Sequence, residues 1–458
     1  MFNYRLLLLL KIIRKLESGF LEKQYILRPS FTVEFAYNWK FLSGLVVLIF
    51  LVSGLVVRSR RPQIPVWCIM AFSSFITVSL GLVSLDEINR TVNMDVILFL
   101  IGMFSLVGLA DSSGLLKLTS MKFISLFKSR FALIYASSVL FGILSAFAVN
   151  DTVALIGPPI AYAISKVARV DAKFMFLLLA FSLTIGSVMT PIGNPQNVLI
   201  AVESGIDAPF INFMAKLAIP TLINLLLTPY ILIKIFRIKN EKLNDLPLEE
   251  TLSNGRDSVL AAIGILVTIF ALIANDLLQL SGGPHITYRG VIPFVIAAGI
   301  FMMTSNPRKV LASVDWGTIV FFITMFITME GVWSSGVLQP VLSHVLPSKS
   351  DGFLGILKII LISLLFSQFL SNVPFVKLFI NYMKDVGYTP SDIDSWLCLA
   401  MASTIAGNLT LLGAASNIII LETLESKMRT TITFVEFAKY GAIVTFVNCV
   451  VYLPFFMI

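Results

Sequence analysis

Long apolar runs separated by short charged loops govern what this chain can fold into. They cover residues 41–57, 64–83, 96–110, 173–202, 210–236, 259–280, 291–304, 318–330, 397–421 and 434–457. A helix rises 1.5 Å per residue, so about twenty apolar residues cross a hydrocarbon core of roughly 30 Å. Only 13% of the chain is charged, against 57% hydrophobic, and the charges cluster between the runs. A soluble globule is excluded, and an all-α polytopic membrane protein is expected.

The net charge of +8 does not point to nucleic acid, because the cations alternate between loops as the positive-inside bias of membrane insertion requires. Arg58, Arg60 and Arg61, then Lys117, Lys122, Lys128 and Arg130, then Lys166 and Arg169, fall on one side. Arg237, Lys239 and Lys242, Arg308 and Lys309, and Lys427 with Arg429 join them. Opposite loops carry Asp86 and Glu87, Glu203 and Asp207, or Asp385, Asp392 and Asp394, so the basic side is read as cytoplasmic. Cys68, Cys398 and Cys449 lie inside apolar runs as packing residues, and His285 and His344 sit in loops. Neither a disulfide framework nor a metal centre is indicated, and no cofactor is expected. Residues 1–40 contain Leu7 to Leu10, interrupted by Lys11, Arg14 and Lys15 before the run can cross; this segment reads as interfacial.

The chain repeats itself. Met103-Phe104 recurs as Met325-Phe326, Ser112-Ser113-Gly114 as Ser334-Ser335-Gly336, and Phe147 with Asn150 as Phe369 with Asn372, always 222 positions apart. The separation then becomes 220, through Thr184/Thr404, Thr190/Thr410, Gly193/Gly413 and Asn197/Asn417. Apolar sequence explains matching Leu and Ile but not this ordered polar series. Two repeats, 41–236 and 259–457, are therefore expected around a cytoplasmic linker, 237–258. The loop charges make each repeat cross an odd number of times, so the second is inverted relative to the first, as in secondary transporters. This places the residues before Phe41 outside despite their positive charge.

Each repeat carries two irregular features. Apolar runs lead into Asn150-Asp151-Thr152 and Ser371-Asn372-Val373-Pro374 and then turn back, which reads as re-entrant helical hairpins over 131–165 and 353–383. The first return arm, taken as about fourteen residues, reaches only about 20 Å as a helix. Polar tips at membrane depth need partners inside protein or a wet cavity. The partners expected are discontinuous helices over 173–202 and 397–421. Pro191, Gly193 and Pro195 break the first between Thr190 and Asn197, and Thr410 to Asn417 forms its counterpart. Unwound carbonyls with Asn and Thr oxygens suit a small cation, while helix N-termini suit an anion. The expected substrate and ion site comprises Asn150, Asp151, Thr152, Thr190, Gly193, Asn194, Asn197, Ser371, Asn372, Thr410, Gly413, Ser416 and Asn417. A coupling sodium is expected near Asn150, Asp151 and Asn194. Asp151 is the central acid, for cation binding or proton exchange, and it also suits a cap on the return arm. Asp276 and Glu330 read as interfacial, and Lys377 as snorkelling or touching substrate.

Asn150-Asp151-Thr152-Val153-Ala154-Leu155, Thr190 to Asn197 and Gly407 to Asn417 resemble the ion transporter superfamily, from residue 41 onward. That superfamily holds arsenite permeases, NhaD-type sodium/proton antiporters, citrate-metal transporters and divalent anion/sodium symporters. The Asp tip looks more like the arsenite and citrate branches than the Ser-Asn-Thr tips of the sodium-coupled dicarboxylate branch. The resemblance implies elevator motion and often a homodimer. The function expected is a non-enzymatic permease of a small inorganic or carboxylate anion, coupled to protons or sodium, in a plasma or inner membrane. Alternatives are an NhaD-type antiporter using Asp151 and, from another class, a membrane-embedded enzyme, which would need a nucleophile and base at membrane depth.

Overall fold

The structure, a computed structural model, describes residues 39–61, 64–243, 255–339, 347–428 and 431–457. The interfacial segment and the middle of the linker lie outside the described residues. The first half contains α1 (Trp39–Arg60), α2 (Val66–Ser79), α3 (Leu85–Thr91), α4 (Met94–Ser112), α5 (Leu115–Ile124), α6 (Arg130–Ala148), α7 (Asn150–Ala168), α8 (Ala172–Gly186), α9 (Pro195–Glu203) and α10 (Pro209–Ile235). The second contains α11 (Gly255–Leu280), α12 (Val291–Met303), α13 (Pro307–Ala312), α14 (Trp316–Ser334), α15 (Phe353–Leu370), α16 (Asn372–Asp385), α17 (Ile393–Ile405), α18 (Ala415–Met428) and α19 (Phe434–Tyr452). Among the described residues, nine helices are long and apolar enough to cross a bilayer, which makes this an all-helical, multi-pass membrane protein.

The element order of the first half recurs in the second, and so do its local devices. Val149, at φ 62°, separates α6 from α7, and Ser371, at φ 67°, separates α15 from α16. Both side chains occupy a backbone region that L residues avoid, so the surrounding packing must hold these turns. Side-chain caps start the helices that follow irregular chain. Asn93 accepts from Asp95 and Val96 amides before α4, Asp171 from the Lys173 amide before α8, and Thr433 from the Glu436 amide before α19.

Packing sorts the helices into two groups. One is built on α2 against α14, with α1 beside both, and on α4 against α11 and α12. The other holds α6, α7, α8 and α10 with α15 to α19. The halves interleave in this second group: α9 packs on α16 and α17, while α18 packs on α7 and α8. The most deeply buried helices are here, with α8 and α17 shielded along nearly their whole length.

Several charges read as loop or interface groups are structural. Arg130 is buried at the start of α6 and donates to the carbonyls of Ala168 (2.6 Å) and Lys239 (2.7 Å) and to Glu241 (2.7 Å), tying the base of the α6–α7 pair to the chain after α10. Asp276, expected at an interface, is only 1% exposed; it accepts from the amides of Phe210 (2.7 Å) and Ile211 (3.2 Å) and so caps α10. The first return arm is also longer than expected. Asn150 to Thr152 form its first turn and Lys166 to Ala168 continue it, giving 19 residues, about 28 Å. Lys166 extends from the helix over the Tyr162 ring instead of ending it. The second return arm, α16, has 14 residues, about 21 Å.

Where α8 crosses α6, a Cβ added at Gly186 would sit 2.1 Å from the Gly142 carbonyl oxygen. Gly186→Ala is expected to cost about 1–3 kcal/mol as backbone is forced apart. Thermal unfolding in detergent should show a lowered midpoint, whereas Gly299→Ala, which meets nothing within 4 Å, should not lower it.

Candidate substrate and ion site

The site begins where two helices stop inside the buried group. After α8, Ser187–Met189 makes one 3-10 turn and Thr190 is extended; α9 then restarts with Asn194 as cap and Pro195 at its first position. Pro has no amide to lose there, so the restart is unstrained. After α17, the chain passes through the 3-10 turns Ala406–Asn408 and Leu411–Gly413 before α18.

Carbonyls released by each break are taken up by one asparagine. Asn197 Nδ2 donates to the Ser187 and Thr190 carbonyls, each at 3.0 Å. Asn417 Nδ2 donates to those of Gly407 (2.7 Å) and Thr410 (3.3 Å). The acceptors sit at equivalent positions, ten and seven residues before the asparagine, and correspond in the repeat. Gly193 and Gly413 are matched too: an added Cβ would lie 2.3 Å from the Ser187 oxygen in one case and 2.7 Å from the Ala406 oxygen in the other.

Thr404 joins the breaks. Its hydroxyl accepts from Asn194 Nδ2 (3.1 Å) and donates to Asn197 Oδ1 (3.3 Å). Asn194 Oδ1 accepts the Asn197 amide (2.9 Å), so Asn194 is engaged in bracing and capping. The tips are tied in as well. The Asn150 amide donates to the Gly193 carbonyl (2.9 Å), Thr190 Oγ1 donates to the Ala146 carbonyl, and Thr410 Oγ1 donates to Gln368 Oε1 (2.6 Å), whose Nε2 donates to the Ala406 carbonyl (2.9 Å).

A cavity of about 350 Å³ opens onto both tips and both breaks. Of the residues expected from sequence, Asn150, Asp151, Ser371, Asn372 and Gly413 line it. Thr190, Asn194, Asn197, Thr410 and Asn417 lie behind them and hold the breaks; Thr152 and Ser416 do not line it either. Asn150 Oδ1 and Asn372 Oδ1, equivalent in the repeat, are buried and have no partner among the described residues. Gln196, within the expected stretch Thr190 to Asn197, also lines it, whereas sequence reasoning missed the opposite wall, formed by Arg58, Trp67, Asp315 and Thr318. Arg58 was read as a loop cation, yet α1 runs to Arg60, which puts Arg58 in its last turn. Its Nε donates to the Ile64 carbonyl at 3.2 Å. Asp315 caps α14, accepting from the Thr318 amide (3.0 Å) and hydroxyl (2.6 Å).

Helix N-termini converge on this space. Val66 and Trp67 open α2, Asn150 and Asp151 open α7, Pro195 and Gln196 open α9, Gly317 and Thr318 lie in the first turn of α14, and Asn372 and Val373 open α16. Each contributes the positive end of a helix dipole, while the Asn150, Asn197 and Thr318 amides already donate to Gly193, Asn194 and Asp315.

The family model described as Citrate transporter matches residues 45–396. The chain belongs to the citrate transporter family. An uncharacterized transporter of Mycobacterium tuberculosis is 25% identical over 371 residues, covering 78% of this chain and 84% of that protein. A putative transporter arsB of Dictyostelium discoideum is 22% identical over 80% of this chain and 82% of its own length. The inner membrane protein YbiR of Escherichia coli is 27% identical, over 71% and 78%. The crystal structure of the Alcanivorax borkumensis YdaH transporter, described as having an unusual topology, aligns with a TM-score of 0.52 at 13% identity, over 81% of this chain and 86% of that one. This is a membrane transporter of the citrate-transporter and ArsB type.

The hydroxyl of Thr404 is the link that reaches from the second half to two asparagines of the first. Thr404→Val keeps the shape but leaves the buried Asn197 Oδ1 without its hydroxyl donor, at a cost of about 1–3 kcal/mol. Thermal unfolding should register that loss, and Ser→Ala at exposed Ser281 should leave the midpoint unchanged.

Proposed function

We propose that the chain is a secondary active permease for a small anion, carboxylate or inorganic, coupled to protons or sodium. The observation that carries this reading is the convergence of five helix N-termini, with Arg58, on the cavity shared by both tips and both breaks. Helix dipoles of that kind, together with the Arg58 guanidinium, favour an anion in the cavity. The name of the family favours a carboxylate such as citrate within that class.

The coupling ion is assigned to the same cavity. The Asp151 carboxylate, with the unpaired Asn150 and Asn372 amide oxygens, offers oxygen donors to a cation or a proton carrier beside the anion. These oxygens also favour the second reading, a sodium/proton antiporter with Asp151 as exchange site.

In the architecture proposed, the two halves are inverted repeats, and the α6–α7 and α15–α16 pairs are hairpins entering from opposite faces. The loop charges make the Arg58 and Asp315 side cytoplasmic, so the cavity opens inward in a plasma or inner membrane. A homodimer remains part of this proposal.

Flux into proteoliposomes without ATP separates the two readings. Wild type is expected to accumulate labelled citrate or an inorganic oxyanion when a sodium or proton gradient is imposed. Cation-driven proton movement with no anion uptake would overturn the permease. Asp151→Asn, folded by size-exclusion profile, should lower gradient-driven uptake roughly tenfold or more, the equivalent of losing about 1.4 kcal/mol in ion binding; unchanged uptake removes Asp151 from coupling.

A further inference from the structure

A second, larger cavity of about 1000 Å³ lies on the far side of the broken helices from the first. Val202 and Glu203 on α9 and Lys377 on α16 line it on one side, and Glu330 and Ser334 at the end of α14 line it on the other. Two helices separate the cavities. α9 begins at Pro195 and Gln196 in the first cavity and ends at Glu203 in the second; α16 begins at Asn372 and Val373 in the first, and Lys377 on its second turn reaches the second. Between those ends the plug is dry: Asn197 to Ala201 on α9 and Phe375 and Val376 on α16 are all buried.

Glu203 and Lys377 join at the outer end of this plug. Lys377 Nζ lies 2.6 Å from Glu203 Oε2, with the two side chains 10% and 6% exposed. The ammonium also stands 5.3 Å from the centre of the Phe326 ring on α14, where a cation is favoured over the ring face. Neither the loop acid nor the snorkelling lysine of the sequence reading describes them. A pair this buried gains little over apolar packing, because desolvation offsets its attraction. What it supplies is registry: each charge tolerates burial only with its partner in place, so α9 and α16 cannot slide or splay without exposing an unpaired charge.

We propose that Glu203 and Lys377 are positioning residues, whose ion pair locks α9 against α16 and thereby sets the half-site at Pro195-Gln196 against the half-site at Ser371-Asn372. The pair is about 12 Å along α9 and about 7.5 Å along α16 from those N-termini. It acts on substrate only through them. Because one partner comes from each half, the lock also makes the two half-sites a single unit. This inference rests on the first cavity being the transport site.

The test uses the full chain with Glu203→Gln, Lys377→Gln and the charge swap Glu203→Lys/Lys377→Glu, in proteoliposomes and in native membranes. Concentration-dependent citrate uptake should show the half-saturating concentration raised about tenfold in each single variant, with a smaller change in maximal rate, and recovery toward wild type in the swap. A second readout needs no substrate: Gln196→Cys/Val373→Cys joined by a short bifunctional maleimide, against the same chain without the added thiols. Cross-linking should be efficient with the native pair and with the swap, and reduced when either charge is neutralised. If wild type takes up no citrate, that substrate assignment falls and cross-linking alone decides. A swap that behaves like the single variants in both readouts, or single variants that match wild type, overturns the proposal.

Discussion

Backbone polar groups that leave a helix at membrane depth must be satisfied by protein, and the rest of this structure follows from that requirement. Two helices stop in the middle of the buried group, and each break releases carbonyls that buried side chains must receive. Asn197 and Asn417 receive them from the same relative positions in each half. An asparagine suits the task because one amide group carries two donors, enough for two carbonyls at once. These asparagines are buried, which raises the worth of each bond and the cost of losing one.

Once the breaks are secured, helix ends become available where a continuous helix would offer only side chains. The group containing α6 to α8 and α15 to α19 directs the starts of α7, α9 and α16 into one space, and the group containing α2 and α14 closes it with two further helix starts, Arg58 and Asp315. Positive dipole ends and carboxylates thus share a cavity. An anion and a coupling cation bound side by side would neutralise both sets of charges, whereas either alone would leave one set exposed.

Much of this was legible in the sequence because it repeats. Thr190/Thr410, Gly193/Gly413 and Asn197/Asn417 recur at a constant spacing, and each pair does the same backbone task in the structure. The breaks themselves were legible from Pro191, Gly193 and Pro195, whose backbone chemistry is local. The contacts that were not legible join residues with no shared motif. Lys377 finds Glu203, Arg130 finds Glu241, Asp276 finds the amides opening α10, and Arg58 and Asp315 line one wall of the cavity. Loop-charge reasoning sorts such residues by side of the membrane and carries no information on pairing. The length of α7 was not legible for a related reason: a lysine such as Lys166 need not end an apolar helix, because it can extend over an aromatic ring, here Tyr162, while the helix continues.

The central claim is that both tips and both breaks form one binding site. Ligand-dependent thermal stabilisation of the purified transporter tests it most directly, because a ligand that binds the native state raises stability by mass action. With citrate and sodium present, the wild-type shift should be lost to the same extent in Asn150→Ala and in Asn372→Ala, although the residues come from opposite halves. Loss in one variant with the full shift kept in the other would contradict a shared site.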